Sequence, residues 1–201
     1  IGAVDFIEEL KTTDEVDVPD GLRSVAVVGG GNTAINVARE MRGLGVEDVK
    51  LIYRRDEASM SGYDHEWKAA KQEGAHGVWR AQPVDILGDG RVEAIRCRRT
   101  RDVEKQDGST ELEVIEDSDF DLPCDVVVLA IGQSKLGELF EDVDGLETEW
   151  GRIVVDPDTG ATGHPMYFAG GDCANGGKEV VNAVQEAKIA ARTIDQRLNE
   201  E

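Results

Sequence analysis

The chain has 201 residues, with 22 Lys or Arg against 42 Asp or Glu, for a formal net charge of −20 at pH 7. At about 150 residues per domain, that length holds one full domain and part of another. So negative a charge excludes nucleic acid except at a local basic patch, and no apolar run approaches the roughly 18 residues of a membrane span.

The acidic excess, with Arg outnumbering Lys, fits either salt adaptation, in which carboxylates hold hydration and are screened at high ionic strength, or an ordinary acidic surface. Cys97, Cys124 and Cys173 form neither a CxxC pair nor an even disulfide framework. They predict reduced thiols and, with no basic-then-apolar leader, a soluble cytoplasmic protein. Ile1 in place of Met reads as a cut or processed start.

In chain order, Ala3, Phe6, Ile7 and Leu10 lie at helical spacing, and the polar stretch around Pro19 follows, so residues 1–22 read as a helix and linker. Ser24 to Val28 is a short apolar, β-branched run suited to a parallel strand buried on both faces. Gly29-Gly30-Gly31 ends it. Ile35, Val37, Ala38 and Met41 then form a helical stripe that stops at Gly43 and Gly45, and Val49 to Tyr53 begins a second strand. This is a βαβ unit with an expected right-handed crossover.

The turn between its first strand and helix, Gly29-Gly30-Gly31-Asn32-Thr33-Ala34, matches G-x-G-x-x-G/A. Gly29 permits the tight turn, Gly31 lets the backbone approach a diphosphate, and small Ala34 lets the helix pack closely on the strand. Free N–H groups and the positive helix end then face the anion. After Tyr53, where an NAD-specific site places a carboxylate for the ribose 2′-hydroxyl, stand Arg54 and Arg55. Two guanidinium groups suit a 2′-phosphate, which points to NADPH as ligand. Asp56 and Glu57 follow at once and are positioned to neutralise part of that clamp.

Further along, Tyr63 to Glu73 reads as a polar helix with Trp67, Ala70 and the Lys71 stem inward, ended by Gly74. Residues 91–120 alternate as two strands around Asp107-Gly108, a hairpin signal. Arg96, Arg98, Arg99 and Arg101 would suit a polyanion, yet alternating residues of an edge hairpin normally pair with surrounding carboxylates, the favoured reading. Asp117, Asp119 and Asp121 start like a calcium loop, but Leu122 and Val128 stand where its Gly and Glu belong. His65, His76 and His164 lack metal-ligand spacing, so no metal is expected.

The ordered motifs resemble the small (β) subunit of NADPH-dependent glutamate synthase and its relatives. The residues that carry the resemblance are 29–34, Val37-Ala38-Arg39, Tyr53-Arg54-Arg55, the stretch DVVVLAIGQ at 125–133, YFAGGD at 167–172, Val180-Val181-Asn182-Ala183 and Ala190-Ala191. The resemblance implies an α/β fold: a Rossmann-like NAD(P)H-binding domain at 23–133, then a linker and the C-terminal remnant of an FAD-binding domain at 134–201. It also implies that Ile131 and Gly132 line the nucleotide site, and that FAD is the second cofactor. A strand ending at Gly171-Asp172 would present a carboxylate to the flavin's ribityl hydroxyls, and Val180 and Val181, opening a helix after Gly176-Gly177, would lie near the ring.

Asn36 stands where relatives commonly carry Asp, and Ser61-Gly62 follows Met60 where they carry Pro-Ala. The family's own FAD fingerprint and iron–sulfur cysteines lie upstream of the nicotinamide domain and have no counterpart here. The partner implied is therefore that N-terminal FAD and iron–sulfur segment, or a separate oxidoreductase subunit. Such an enzyme passes hydride from NADPH to FAD and electrons onward to iron–sulfur clusters, with no side chain acting as acid or base. The alternatives are a stand-alone NADP(H)-binding module without turnover and a partner-interaction fragment.

Overall fold

A computed structural model describes residues 2–12, 21–105, 107–132, 140 and 143–199. The linker around Pro19, Gln133 of the DVVVLAIGQ stretch and the segment that follows it lie outside the described residues. The chain divides into two compact units, Ile1–Gly132 and Gln133–Glu201.

The first unit runs α1 (Ala3–Thr12), β1 (Ser24–Val28), α2 (Asn32–Gly43), β2 (Asp48–Tyr53), a 3-10 turn (Glu57–Ser59), α3 (Asp64–Gln72), β3 (His76–Trp79), β4 (Ala81–Leu87), β5 (Ala94–Glu104), β6 (Thr110–Pro123) and β7 (Val126–Leu129). A parallel sheet has the order β3-β2-β1-β7, and an antiparallel sheet the order β4-β5-β6.

The period of a strand explains why β1 is apolar throughout. Val25 and Val27 point to one face, where they join Ile35, Val37, Ala38 and Met41 of α2, Trp67 and Ala70 of α3 and Ala3 of α1. Ala26 and Val28 point to the other, where they meet Ile95, Cys97 and Cys124 beneath the antiparallel sheet. A strand covered on both sides cannot alternate with polar residues. The segment that the sequence sets apart as helix and linker thus contributes Ala3 to the same core, and Gly2 bridges Leu129 of β7 in parallel. Burial pushes the Cys97 thiol up to about 11, which keeps it inert at neutral pH.

Helix ends follow the local chemistry. Gly45, at φ +89°, returns its N–H to the Arg42 carbonyl after α2, and Gly74, at φ +100°, does the same to Lys71 after α3. β3 and β4 were not foreseen. β3 is only His76 to Trp79 and exists by pairing with β2, while β4 is an edge strand carrying Pro83 and a register shift between Pro83 and Asp85.

The hairpin arginines are spent on carboxylates of the facing strand: Arg96 on Asp121 at 2.7 Å, Arg98 on Asp119 at 2.5 Å and Arg101 on Glu113 at 2.9 Å, while Arg99 lies over the Phe120 ring. The same pairs occupy Asp119 and Asp121 of the would-be calcium loop. Among the described residues, no group of His, Cys, Asp and Glu could hold a metal, and no helix is long and apolar enough to cross a membrane.

The second unit holds a short hairpin, β8 (Thr148–Glu149) with β9 (Arg152–Ile153), then α4 (Asp172–Asn175) and α5 (Val180–Asn199). One expectation is corrected here. The run to Gly171-Asp172 is not a buried strand: among the described residues its strand pairing is one isolated bridge from Phe168 to Ala161. A lone apolar stretch becomes a strand only where neighbours supply a ladder, and the described residues of this unit supply a single bridge.

At the base of the parallel sheet, one Asp125 carboxylate oxygen accepts the amides of Arg23 and Ser24, each at 2.9 Å, joining the starts of β1 and β7. These two bonds hold the Asp125 pKa below the usual carboxylate range. Stability from a depressed carboxylate is present above its unfolded pKa and is lost as pH falls through the folded one. Asp125→Ala should therefore destabilise the chain at pH 7 by about 1 kcal/mol, with the difference shrinking in acid. Urea titrations showing the same loss at pH 7 and pH 3 would contradict this origin.

Candidate functional site: a glycine-lined cleft at the end of the parallel sheet

The glycine triplet sits where β1 leaves the sheet, and its three members do different work. Gly29 has φ +151°, and a Cβ there would lie 2.4 Å from the Ala130 carbonyl oxygen, so the close approach of β1 and β7 requires glycine. A Cβ on Gly30 would enter the Tyr53 ring at 2.5 Å. Gly31 is the exception: its backbone is extended, and a Cβ would meet only the Ser61 hydroxyl at 3.5 Å. The protein does not itself need that space empty.

α2 starts at this point with Gly31 as its N-cap, without a side-chain cap and without an acidic residue in its first turn. The Asn32 side-chain oxygen is turned instead to the Tyr63 amide at 2.8 Å. Among the described residues, the amides of Asn32 and Thr33 have no carbonyl partner, so donors at the positive helix end remain available to an anion. Ala34, fully buried, lets the helix lie close to β1.

The segment after β2 is fastened over this turn. The Ser61 and Gly62 amides both donate to the Gly30 carbonyl at 3.0 Å, and the Tyr53 hydroxyl donates to the Ser59 carbonyl at 3.0 Å. Proline at position 61 would forfeit the first of these bonds, and a Cβ on Gly62 would lie 2.4 Å from Ile35. The departure from Pro-Ala thus has a packing logic. Gly29, Gly30, Gly31, Thr33, Tyr53 and Arg54 line one cleft of about 680 Å³ with Ile131 and Gly132. Val28, Ile52, Ser61, Gln82, Pro83, Leu129 and Ala130 complete it. Gln82 and Pro83 carry no sequence signal, because the antiparallel sheet brings them there.

Arg54 is exposed and Arg55 half-buried, and among the described residues neither side chain has an ion pair or hydrogen bond. The adjacent carboxylates do not neutralise them. Glu57 is held by Lys71 at 2.6 Å. Asp56 accepts the Ser59 hydroxyl at 2.6 Å and amide at 3.0 Å on one oxygen and Arg80 at 2.7 Å on the other. The Ser59 hydroxyl, together with Arg80, keeps the Asp56 pKa below the usual carboxylate range despite some desolvation.

The second unit brings its expected residues together less well. Gly171, at φ +73°, precedes α4 and donates its amide to Glu186 at 2.6 Å. Asp172 is exposed at the start of a four-residue helix, while Val180 and Val181 are 78% and 67% exposed at the start of α5. A cleft of about 220 Å³ in this unit is lined by Asp156, Gly160, Asn175 and Glu186 among others, but by none of Asp172, Val180 and Val181. Among the described residues, the unit has no glycine-rich strand-turn-helix for a flavin diphosphate.

Residues 2–187 match the pyridine nucleotide-disulphide oxidoreductase family. The chain is 38% identical over 204 residues to the NADP(+)-dependent formate dehydrogenase subunit beta of Moorella thermoacetica, covering 100% of this chain and 28% of that protein. It is 34% identical to the glutamate synthase [NADPH] small chain of Azospirillum brasilense, covering 86% of this chain and 36% of that one. The chain therefore spans about a third or less of these two relatives. Among solved structures, Mycobacterium tuberculosis FprA in complex with NADPH superposes with a TM-score of 0.68 at 16% identity, over 99% of this chain and 58% of that one, a likeness of fold. The resemblance to the glutamate synthase small subunit and the Rossmann-like α/β class both hold, and the chain belongs to the pyridine nucleotide-disulphide oxidoreductase family.

Proposed function

We propose that the chain is the NADPH-binding portion of a flavoprotein oxidoreductase that passes hydride from NADPH to FAD. The observation that carries this reading is Arg54, which lines the cleft beside a glycine turn with free amides and, like Arg55 next to it in sequence, has no side-chain ion pair among the described residues, in a chain of net charge −20. When bound, NADPH supplies the hydride. Gly31 leaves room for its diphosphate, the Asn32 and Thr33 amides donate to the diphosphate oxygens, and Arg54 and Arg55 bind the 2′-phosphate. Leu129, Ala130, Ile131 and Gly132 form the wall of the cleft at the end of β7, where the nicotinamide would be oriented and shielded from water. Rate would come from positioning, since the cofactors carry the chemistry.

The fit of FAD is incomplete. Asp172 offers an acceptor for a ribityl hydroxyl and Val180 and Val181 an apolar surface, but no cradle for the diphosphate accompanies them, so no step is assigned to this chain's residues toward FAD. We therefore assign the flavin mainly to an N-terminal FAD and iron–sulfur segment or a partner subunit, as in glutamate synthase relatives. The same observation favours a second reading, a stand-alone NADP(H)-binding module without turnover. Visible absorption after gel filtration with added FAD separates them: the portion reading expects flavin to be lost from the chain alone and retained, then bleached by NADPH, once the rest of the enzyme is supplied. Loss of flavin under both conditions would leave the binding module.

Arg54→Ala with Arg55→Ala should weaken NADPH binding by about 2–4 kcal/mol, from the loss of charge-assisted contacts with some overlap, and change NADH little. Equal losses for the two nucleotides in calorimetric titrations would overturn the phosphate assignment. The glycines separate fold from function. Gly30→Ala should lower stability by about 1–3 kcal/mol by overpacking against Tyr53. Gly31→Val should leave a folded protein that binds neither nucleotide, because its side chain fills the diphosphate's place. Unchanged affinity in folded Gly31→Val would remove that geometry.

A further inference from the structure

Arg80 occupies the single residue between β3 and β4, where the chain leaves the parallel sheet and enters the antiparallel one. Its φ of +52° is in the left-handed region, where glycine or asparagine would be the less strained choice. Its guanidinium bridges Asp56 at 2.7 Å and Asp102 at 2.9 Å. Its amide donates to the Arg55 carbonyl at 3.0 Å, and its own carbonyl accepts the Thr100 amide at 3.0 Å. The Thr100 hydroxyl, almost fully buried, donates to the Arg54 carbonyl at 2.5 Å. Arg80 and Thr100 therefore hold the backbone of both clamp arginines.

Asp56 directly follows those arginines and is the carboxylate best placed to pair with them or to repel a 2′-phosphate. Both of its oxygens are already engaged, one by Ser59 and one by Arg80. On the reading that this cleft takes NADP(H), we propose that Arg80 is a positioning residue for nucleotide selectivity. By neutralising Asp56 it leaves Arg54 and Arg55 free for the 2′-phosphate. Without Arg80, Asp56 competes for the arginines, and discrimination between NADPH and NADH falls while binding of the shared part of the two nucleotides persists. The arrangement fits the charge of the chain, where a cation lacking such a guard would be quenched by a neighbouring carboxylate.

The test is a double-mutant cycle on the full chain, read by titration with NADPH and with NADH at low ionic strength. Arg80→Gly removes the guanidinium while suiting the left-handed backbone, and Arg80→Gln, run alongside, keeps most of the side-chain stem. Either should weaken NADPH about fivefold, the scale of one new charge contact in water, and leave NADH within about twofold. Asp56→Asn retains an oxygen for Ser59. It should change little alone but restore NADPH affinity in the Arg80 variants, a rescue that a merely structural role would not give. An unchanged NADPH-to-NADH ratio in both Arg80 variants, or no rescue by Asp56→Asn, overturns the proposal. Arg54→Ala with Arg55→Ala is the separate control. If the unaltered chain shows no preference for NADPH and this pair changes nothing, the NADP(H) reading itself fails. If the preference exists and depends on that pair but not on Arg80, only the present inference fails.

Discussion

The contact on which the site depends is that of the Tyr53 ring with Gly30, where even one methyl group would lie 2.5 Å from the ring. That contact joins the end of β2 to the turn after β1. The Tyr53 hydroxyl then reaches the Ser59 carbonyl, and the Ser61 and Gly62 amides close on Gly30 from the other side. The turn, the following loop and the start of α2 are thus joined by packing and hydrogen bonds, while the Asn32 and Thr33 amides have no carbonyl partner among the described residues. Packing of this density transmits small changes in volume directly into position, so the geometry offered to an anion is set by residues that need never touch it.

Around this body the parallel sheet is covered unequally. Helices α1, α2 and α3 bury one face, and the β4-β5-β6 sheet buries the other. The second cover has two consequences for the cleft. It delivers Gln82 and Pro83 to the lining of the cleft, and it brings Thr100 and Arg80 to the backbone carbonyls of Arg54 and Arg55. An insertion that would otherwise be a surface ornament becomes part of the lining and support of the cleft.

Charge is distributed with the same economy. Arg39 is committed to Glu66 and Glu73, Lys71 to Glu57, Arg80 to Asp56 and Asp102, and the hairpin arginines to carboxylates across the strand pair. Pairs this exposed contribute little to stability. Two of them engage Asp56 and Glu57, the carboxylates that directly follow Arg54 and Arg55.

By itself, the sequence determined the βαβ core, because a strand buried on both faces must be apolar throughout and the G-x-G-x-x-A turn permits few other local structures. β1 is Ser24 to Val28 as the pattern states, α2 buries the foreseen stripe, and Trp67 and Ala70 of α3 point inward. The place of Arg54 and Arg55 one strand after the glycine turn was also legible, since it is local information. Tertiary structure decided what depends on neighbours remote in sequence: β3 and β4, which exist through pairing rather than propensity, the absence of a strand before Asp172, and the capture of Asp56 by Arg80. Sequence adjacency alone sets Asp56 against Arg54 and Arg55. A carboxylate's effect is set by the charges that reach it in space, and the chain folds an arginine 24 positions away onto this one.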